Sequence, residues 1–247
     1  MKSIIKVQWR KSDKGWKARL FLASEAGFEK RGLEPGRSLS MEITDDRRCT
    51  GYAPSKGERA PCPEFRKIEK GSQCPECRGK DIYSGYVRGE KNDLDGEFSV
   101  YMAQIADQVK VGVTRKEKIP RRWIEQGADY GAEVLSGVSS NKALEKEDEL
   151  TSGEVTQRIR KEYKTSPLKK PTKLQVILEE KDFTAEVVDV QSLTVYPEME
   201  GVFSRRGLLE GEIKSVKGQI VSNGRVAMAM TSGKTSKRPS QKGLDRF

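Results

Sequence analysis

Apolar and polar residues alternate at the start of the chain. Residues 4–9 (IIKVQW) and 16–22 (WKARLFL) are rich in β-branched and aromatic side chains, and KSDKG between them is a turn composition. Residues 38–44 (SLSMEIT) alternate again, so residues 1–47 read as a small antiparallel β segment with Trp9 and Trp16 as packing residues. The same signal returns at 98–105 and 109–113, with Asp107-Gln108 as the turn of a hairpin. Pro120 then suits a first helical position, where no N–H is required, and Gly127 suits the end of that helix. A third strand is expected over 132–138, then an acidic helix over 141–150 capped by Ser139 or Ser140, then a basic helix over 154–164. The run SPLKKP at 166–171 breaks the pattern and marks a boundary. Strands are expected at 174–178, 185–190, 193–196, 207–221 and 225–230, the last two joined through Ser222-Asn223-Gly224. Residues 83–96 read as a loop, and residues 231–247 read as a flexible basic tail.

Composition narrows the partners. The chain has 247 residues, with 34% hydrophobic and 34% charged, so a modest core carries a heavily charged surface. Forty-seven basic against 37 acidic residues give a net charge of +10, which favours a polyanion as partner, nucleic acid being the commonest. No apolar run reaches the length of a membrane span or of a secretion signal, and the expected location is the cytoplasm. There is no histidine. That excludes histidine-based general acid–base chemistry and histidine-ligated metals, and it removes the usual catalytic triad. No phosphate-binding GxxxxGK[ST] loop, GxGxxG turn or GxSxG elbow is present.

The cysteines carry a sharper signal. Cys74-Pro75-Glu76-Cys77 has the tight spacing of a zinc knuckle, and Cys49 and Cys62 supply two further ligands, all within 29 residues. A disulfide pair, a redox CxxC and an iron–sulfur cluster are the alternatives. One tetrahedral zinc ion on four thiolates is the favoured reading, and it leaves no open position for water, so the ion is structural. Residues 48–96 are therefore expected to be a zinc-binding segment. Its surroundings are basic (Arg47, Arg48, Arg66, Lys67, Lys70, Arg78, Lys80).

The centre of the chain also carries a resemblance. Ser99-Val100-Tyr101, Lys110-Val111-Gly112-Val113-Thr114 and Arg122-Trp123 resemble the GIY-YIG nuclease module. The longer strings KVGVTR…IPRRWIEQGA, and EGEIKSVKGQIVSNG with its Lys-Gly-Gln centre, resemble an uncharacterised prokaryotic family, domain of unknown function 2797. The resemblance implies a GIY-YIG-like three-stranded antiparallel sheet with helices over 97–165. The expected fold is then α+β, with this module and the zinc segment between β-rich segments at 1–47 and 172–230. It also implies a site in which Tyr101 orients or deprotonates water, Arg122 stabilises phosphoryl charge and a glutamate holds Mg²⁺ or Mn²⁺. Glu147 is the chosen glutamate and Glu145 its rival. Lys110 stands where the module has its second tyrosine, which suits phosphate contact and puts cleavage in doubt. Three functions follow. The leading one is a zinc-containing nucleic-acid-binding protein on a degenerate nuclease-like fold, RNA favoured over DNA. The alternatives are an active metal-dependent endonuclease and an accessory protein docked on the ribosome or another ribonucleoprotein.

Overall fold

The two alternating runs at the start of the chain form a hairpin of β1 (Lys2–Ser12) and β2 (Gly15–Ser24) in the computed structural model, which describes residues 1–84, 94–166 and 170–239. An unforeseen strand, β3 (Gly27–Gly32), continues the meander, and β4 (Ser38–Arg47) contains the SLSMEIT alternation. The centre forms a second sheet from β5 (Phe98–Ile105), β6 (Gln108–Arg115) and β7 (Tyr130–Val138), the three strands expected there. Short strands β8 (Val155–Thr156) and β9 (Val188–Asp189) extend it to five, in the order β8-β6-β5-β7-β9. A third sheet follows, made of β10 (Val202–Ser204), β12 (Ser215–Lys217), β13 (Ile220–Ser222) and β14 (Val226–Ala229) in the order β10-β14-β13-β12. The Asn223 carboxamide oxygen accepts from the Arg225 and Val226 N–H groups and closes the expected β13–β14 turn. The last two strands, β11 (Gly207–Glu212) and β15 (Lys234–Lys237), return to the first sheet, which is antiparallel throughout in the order β11-β4-β15-β1-β2-β3. The β segments from the two ends of the sequence therefore share one sheet.

Four helices complete the described residues: α1 (Pro75–Lys80), α2 (Arg121–Gln126), α3 (Ser140–Leu150) and α4 (Thr172–Glu180). Pro120 sits at the N-cap of α2, after a cis peptide bond from Ile119, one residue earlier than expected. Gly127 ends α2 in the left-handed conformation, its N–H shared between the Trp123 and Ile124 carbonyls. Ser139 caps α3 through the Lys142 N–H.

Five expectations fail locally, the first being the strand over 207–221, which is broken into β11, β12 and β13 and divided between two sheets. Residues 231–237 are not a free tail: Thr235 is fully buried and β15 sits between β4 and β1. Without it those two strands would face each other with unmet backbone donors and acceptors, and a polar strand satisfies them without any large apolar side chain. Residues 240–247 lie outside the described set, as do parts of the expected loop at 83–96 and of the breaker at 166–171. Residues 154–164 form not a helix but β8 and a 3-10 turn, Lys161–Thr165, because the β-branched Val155-Thr156 pair along β6 while Ile159 and Tyr163 pack on the main core. Residues 174–178 are helical, with Leu174, Ile177 and Leu178 buried and Val176 exposed, a spacing that a five-residue apolar run conceals. Within 185–196 only Val188–Asp189 is strand.

The main core lies between the six-stranded sheet, the third sheet and the face of the central sheet bearing Tyr101, Ala103 and Ile105. The opposite face, with Val100 and Met102, is covered by α3 and α4. Residues 217–219 join these layers. Lys217 Nζ pairs with Asp129 Oδ1 at 2.5 Å, both side chains buried, and Asp129 Oδ2 accepts from the Ala106 N–H at 2.7 Å. Gly218 lies against Gly127, and its carbonyl accepts from Trp9 Nε1 at 3.0 Å. Gln219 clamps Val7 by accepting from its N–H at 2.6 Å and donating to its carbonyl at 2.9 Å. The Lys-Gly-Gln string is thus a structural joint.

A Cβ on Gly218 would stand 2.8 Å from the Gly127 nitrogen, at φ +58°. Gly218→Ala is expected to lose about 1–3 kcal/mol from overpacking beyond any backbone cost. Gly153→Ala, at φ +59° with open space around it, isolates the backbone cost alone. Urea unfolding midpoints of the two variants measure the difference, and equal midpoints would remove the joint from this account.

Candidate functional site

The four cysteines are brought together by short irregular segments. Arg48 and Lys67 pair as an isolated bridge, as do Tyr52 and Ala60, and these fold 48–68 back on itself. Cys74 caps α1 and Pro75 opens it, so that the Cys77 N–H points at the Cys74 sulfur at 3.5 Å. The Cys74 N–H donates to the Cys49 sulfur at 3.2 Å. All four sulfurs lie within 4.8 Å of one another and all four residues are buried. A tetrahedral ion with bonds of about 2.3 Å needs sulfurs about 3.8 Å apart, so the cluster has the right size for zinc. Burial raises the Cys49 thiol to about 11, against hydrogen bonds from backbone N–H groups. Cys77 is raised further, by burial and then by the neighbouring sulfurs. At Cys62 burial also pushes up, but N–H groups of Arg66 and Glu64 outweigh it and the thiol is lowered. Buried thiols facing one another, with N–H donors already aimed at sulfur, are an environment that a divalent cation completes. The set fits a structural zinc site with every ligand from the protein.

The second constellation lies on the core-facing side of the β5–β6 hairpin. Tyr101 pairs directly with Gly112, and Ala103 with Lys110, which puts Tyr101 and Lys110 on one face. The phenol lies across Gly112: a Cβ there would be 2.5 Å from the Tyr101 hydroxyl. Only a glycine admits the ring in that position. The first turn of α2 carries Arg122, whose neighbours Trp123 and Ile124 anchor the helix in the core. The fourth group, Glu147, sits on α3 on the same side as the buried Ala143 and Leu150. Tyr101, Lys110, Arg122 and Glu147 stand within electrostatic reach of one another. Glu145 is exposed and does not join them.

Tyr101 is 1% exposed, and burial raises its pKa against the adjacent Arg122 guanidinium. Burial, with Arg122 adding to it, holds Lys110 down to about 8. Its Nζ donates to the Gln157 carbonyl at 2.9 Å. Glu147 is raised, by burial first, with Lys110 and Arg122 opposing. A fifth group belongs here. Lys164, from the turn expected to be helical, is 7% exposed and is lowered to about 7 by burial and then by Lys161, Lys110, Lys217 and Arg122. Among the described residues neither Lys110 nor Lys164 has a carboxylate within ion-pair distance. The sequence places Lys164 only in a basic run; nothing local marks it as buried, and nothing marks Asp129 as the partner of Lys217.

Four clustered buried cysteines in a β-rich α+β chain define the class as one equipped to hold a structural metal ion. The particular family follows from comparison. A family model, described as protein of unknown function DUF2797, matches residues 36–201, about two-thirds of the chain, and the chain belongs to that family. The Lys-Gly-Gln joint lies beyond the matched span. No curated protein and no solved structure matches the chain. Among the described residues no helix is long and apolar enough to cross a membrane.

The protein is expected to purify with about one zinc ion per chain, as a single four-thiolate site requires. Removing it with a mercurial and a chelator should open residues 48–80 to protease, and Cys74→Ala should do the same. Elemental analysis with limited proteolysis measures both. A metal-free protein equally resistant to protease would sink this assignment.

Proposed function

We propose that this protein binds nucleic acid by a phosphate held at the face formed by Lys110, Arg122 and Lys164, RNA being favoured over DNA, on a degenerate nuclease-like centre with zinc holding the neighbouring segment. The observation that carries the reading is the charge balance of that face. Among the described residues two buried lysines have no carboxylate within ion-pair distance, Glu147 is the carboxylate acting on Lys110, and the nearby Arg122 is paired with Glu125 at 3.6 Å. Buried cations without counter-charges are costly, and a phosphate supplies the missing charge with acceptors for every N–H. The net charge of +10 supports a polyanionic partner. A GIY-YIG-like ancestry is supported by the Tyr101–Gly112 pairing and by Arg122 on the next helix. A ribosome or another ribonucleoprotein would present the same phosphate chemistry.

Phosphate arriving at lysines lowered to about 8 and about 7 restores their protons. Binding near pH 8 should therefore take protons up from solution. Titration calorimetry with a short oligoribonucleotide in two buffers of different ionisation enthalpy reads that uptake. Arg122→Ala is expected to weaken binding about tenfold and to reduce the dependence of log K on log salt by about 0.7. Binding that is unchanged by Arg122→Ala, or that releases protons, would overturn the reading.

Convergence of Tyr101, Lys110, Arg122 and Glu147 favours one second reading, a metal-dependent phosphodiesterase. Glu147 offers a single carboxylate, which is how Mg²⁺ is held when substrate phosphates complete its shell, and such an ion would stabilise charge on the phosphoryl oxygens. Arg122 would hold the non-bridging oxygens, and Lys110, part neutral near pH 8, has the basicity to take a proton from attacking water. If this reading holds, labelled RNA or DNA is cut with Mg²⁺ or Mn²⁺ and Glu147→Gln abolishes cutting while binding persists. Intact substrate under all conditions would leave binding alone.

A further inference from the structure

A cleft of about 880 Å³ opens at the turn that carries Lys164, and its charged lining is Asp45, Arg47, Lys161, Glu162, Arg205, Arg206 and Lys234. Five of these are cations and two are carboxylates. The carboxylates are already shared. Asp45 accepts from Arg206 at 2.5 Å and from Lys234 at 2.6 Å, and Glu162 accepts from Arg205 at 2.7 Å. Among the described residues Arg47 and Lys161 therefore face the cleft with no carboxylate within ion-pair distance. Arg47 donates to backbone, at 2.7 Å to the Gly71 carbonyl and at 3.0 Å to that of Ser232. Lys161 donates to the Thr231 hydroxyl at 2.9 Å. Burial, and then Arg205, Arg47 and Lys234, lower the Lys161 pKa. The Arg205 guanidinium rides 5.7 Å above the Phe203 ring, which holds a long side chain at the rim.

Lys161 also ties this cleft to the first site. It lies in the same 3-10 turn as Lys164 and is the foremost of the charges acting on it. Cations thus continue from Arg122 and Lys110 through Lys164 and Lys161 to Arg47, Arg205 and Lys234. A single phosphate would occupy one end of such a line, whereas a backbone bearing a phosphate at every nucleotide would occupy all of it.

We propose that the cleft between β4, the 161–165 turn and the 203–206 link from β10 to β11 is a second phosphate site, so that one nucleic-acid strand lies across the cleft and the Arg122 face together. This rests on the first site being a phosphate site, but the cleft is tested by residues that have no part in it. Arg205 and Arg206 are largely exposed, and their replacement leaves the core intact.

The test uses the full chain and labelled oligoribonucleotides of four and twelve nucleotides, with fluorescence anisotropy over a range of salt. Arg205→Ala with Arg206→Ala is expected to weaken the twelve-nucleotide probe about tenfold and to lower its salt slope by about 1.4, as two lost contacts to a single strand require. The four-nucleotide probe, long enough for one site, should be unaffected by that pair and weakened by Arg122→Ala. Lys161→Met should weaken the longer probe more than the shorter. If the Arg205/Arg206 pair leaves the longer probe unchanged while Arg122→Ala weakens both, the cleft is overturned and the first site stands. If Arg122→Ala changes neither probe while the pair weakens the longer one, the first site fails and the cleft stands as a phosphate site by itself. A wild-type protein that binds neither probe overturns both.

Discussion

The buried pair of Lys217 and Asp129 holds the arrangement together. An ion pair inside a protein repays the loss of water only when the remaining hydrogen-bonding capacity of its members is met. Asp129 meets it with one oxygen on Lys217 and the other on the Ala106 N–H, in the turn that joins β5 to β6. Its own backbone is tied in as well, the N–H to the Gln104 carbonyl and the carbonyl to the Val190 N–H. The pair fixes the β5–β6 turn, β7 and the third sheet relative to one another. One residue on, Gly218 touches Gly127 at the end of α2, and the next, Gln219, clamps β1. The helix that carries Arg122 is thereby seated from its C-terminal end, and the close approach at Gly127 also sets where Lys164 can lie. The position of the cations at the candidate site is a consequence of a joint built some distance away in the sequence.

Most ion pairs of this molecule are of another kind. Pairs such as Lys116–Glu97 and Lys214–Glu212 are half exposed or more and contribute little to stability. They account for much of the 34% charged content without implying any partner. The informative charges are those the fold buries and leaves without an opposite charge, because their cost persists until something else supplies it. Lys110 and Lys164 are of that kind, and at the cleft the half-buried Arg47 and Lys161 likewise have no carboxylate within ion-pair distance among the described residues. The cysteines show the same logic with the sign reversed, as sulfurs crowded together with N–H donors and an unmet demand for a cation.

What the sequence disclosed followed from periodicity and local chemistry. β5, β6, β7 and α3 were legible because their patterns are long and their caps are explicit, as at Ser139 and Gly127. The cysteine cluster was legible because ligand spacing is itself the signal. Helical periodicity puts Glu147 with Ala143 and Leu150, and the structure places it near Lys110 and Arg122, its role remaining a proposal. Segments whose conformation is set by distant partners were not legible. The Leu174 run is too short to tell a helix from a strand without knowing that it covers Val100 and Met102. The polar strand β15 has no apolar pattern, and its place follows from the open edges of β1 and β4. Lys164 looks in sequence like any surface lysine, and it is Ile159 just before the turn and Tyr163 within it, both packed on the core, that draw it inside.

The balance between binding and cleavage turns on Tyr101. The pairing with Gly112 that makes it resemble a nuclease tyrosine also pulls its ring into the core, and burial pushes its proton affinity up. A phenol that is harder to ionise leaves less phenolate to serve as a base near neutral pH, and one so fully buried has poor access to water. The group that could stand in for a second tyrosine is Lys110, whose lowered pKa suits proton transfer near neutrality. That same lysine is needed as a charge if phosphate is to be held, and a phosphate beside it raises its pKa again. Holding phosphate and acting as a base therefore oppose each other at one side chain. Lys164, lowered to about 7, is under the same opposition, and a phosphate that restores the protons of both lysines removes both as bases, which is why binding is the proposed reading.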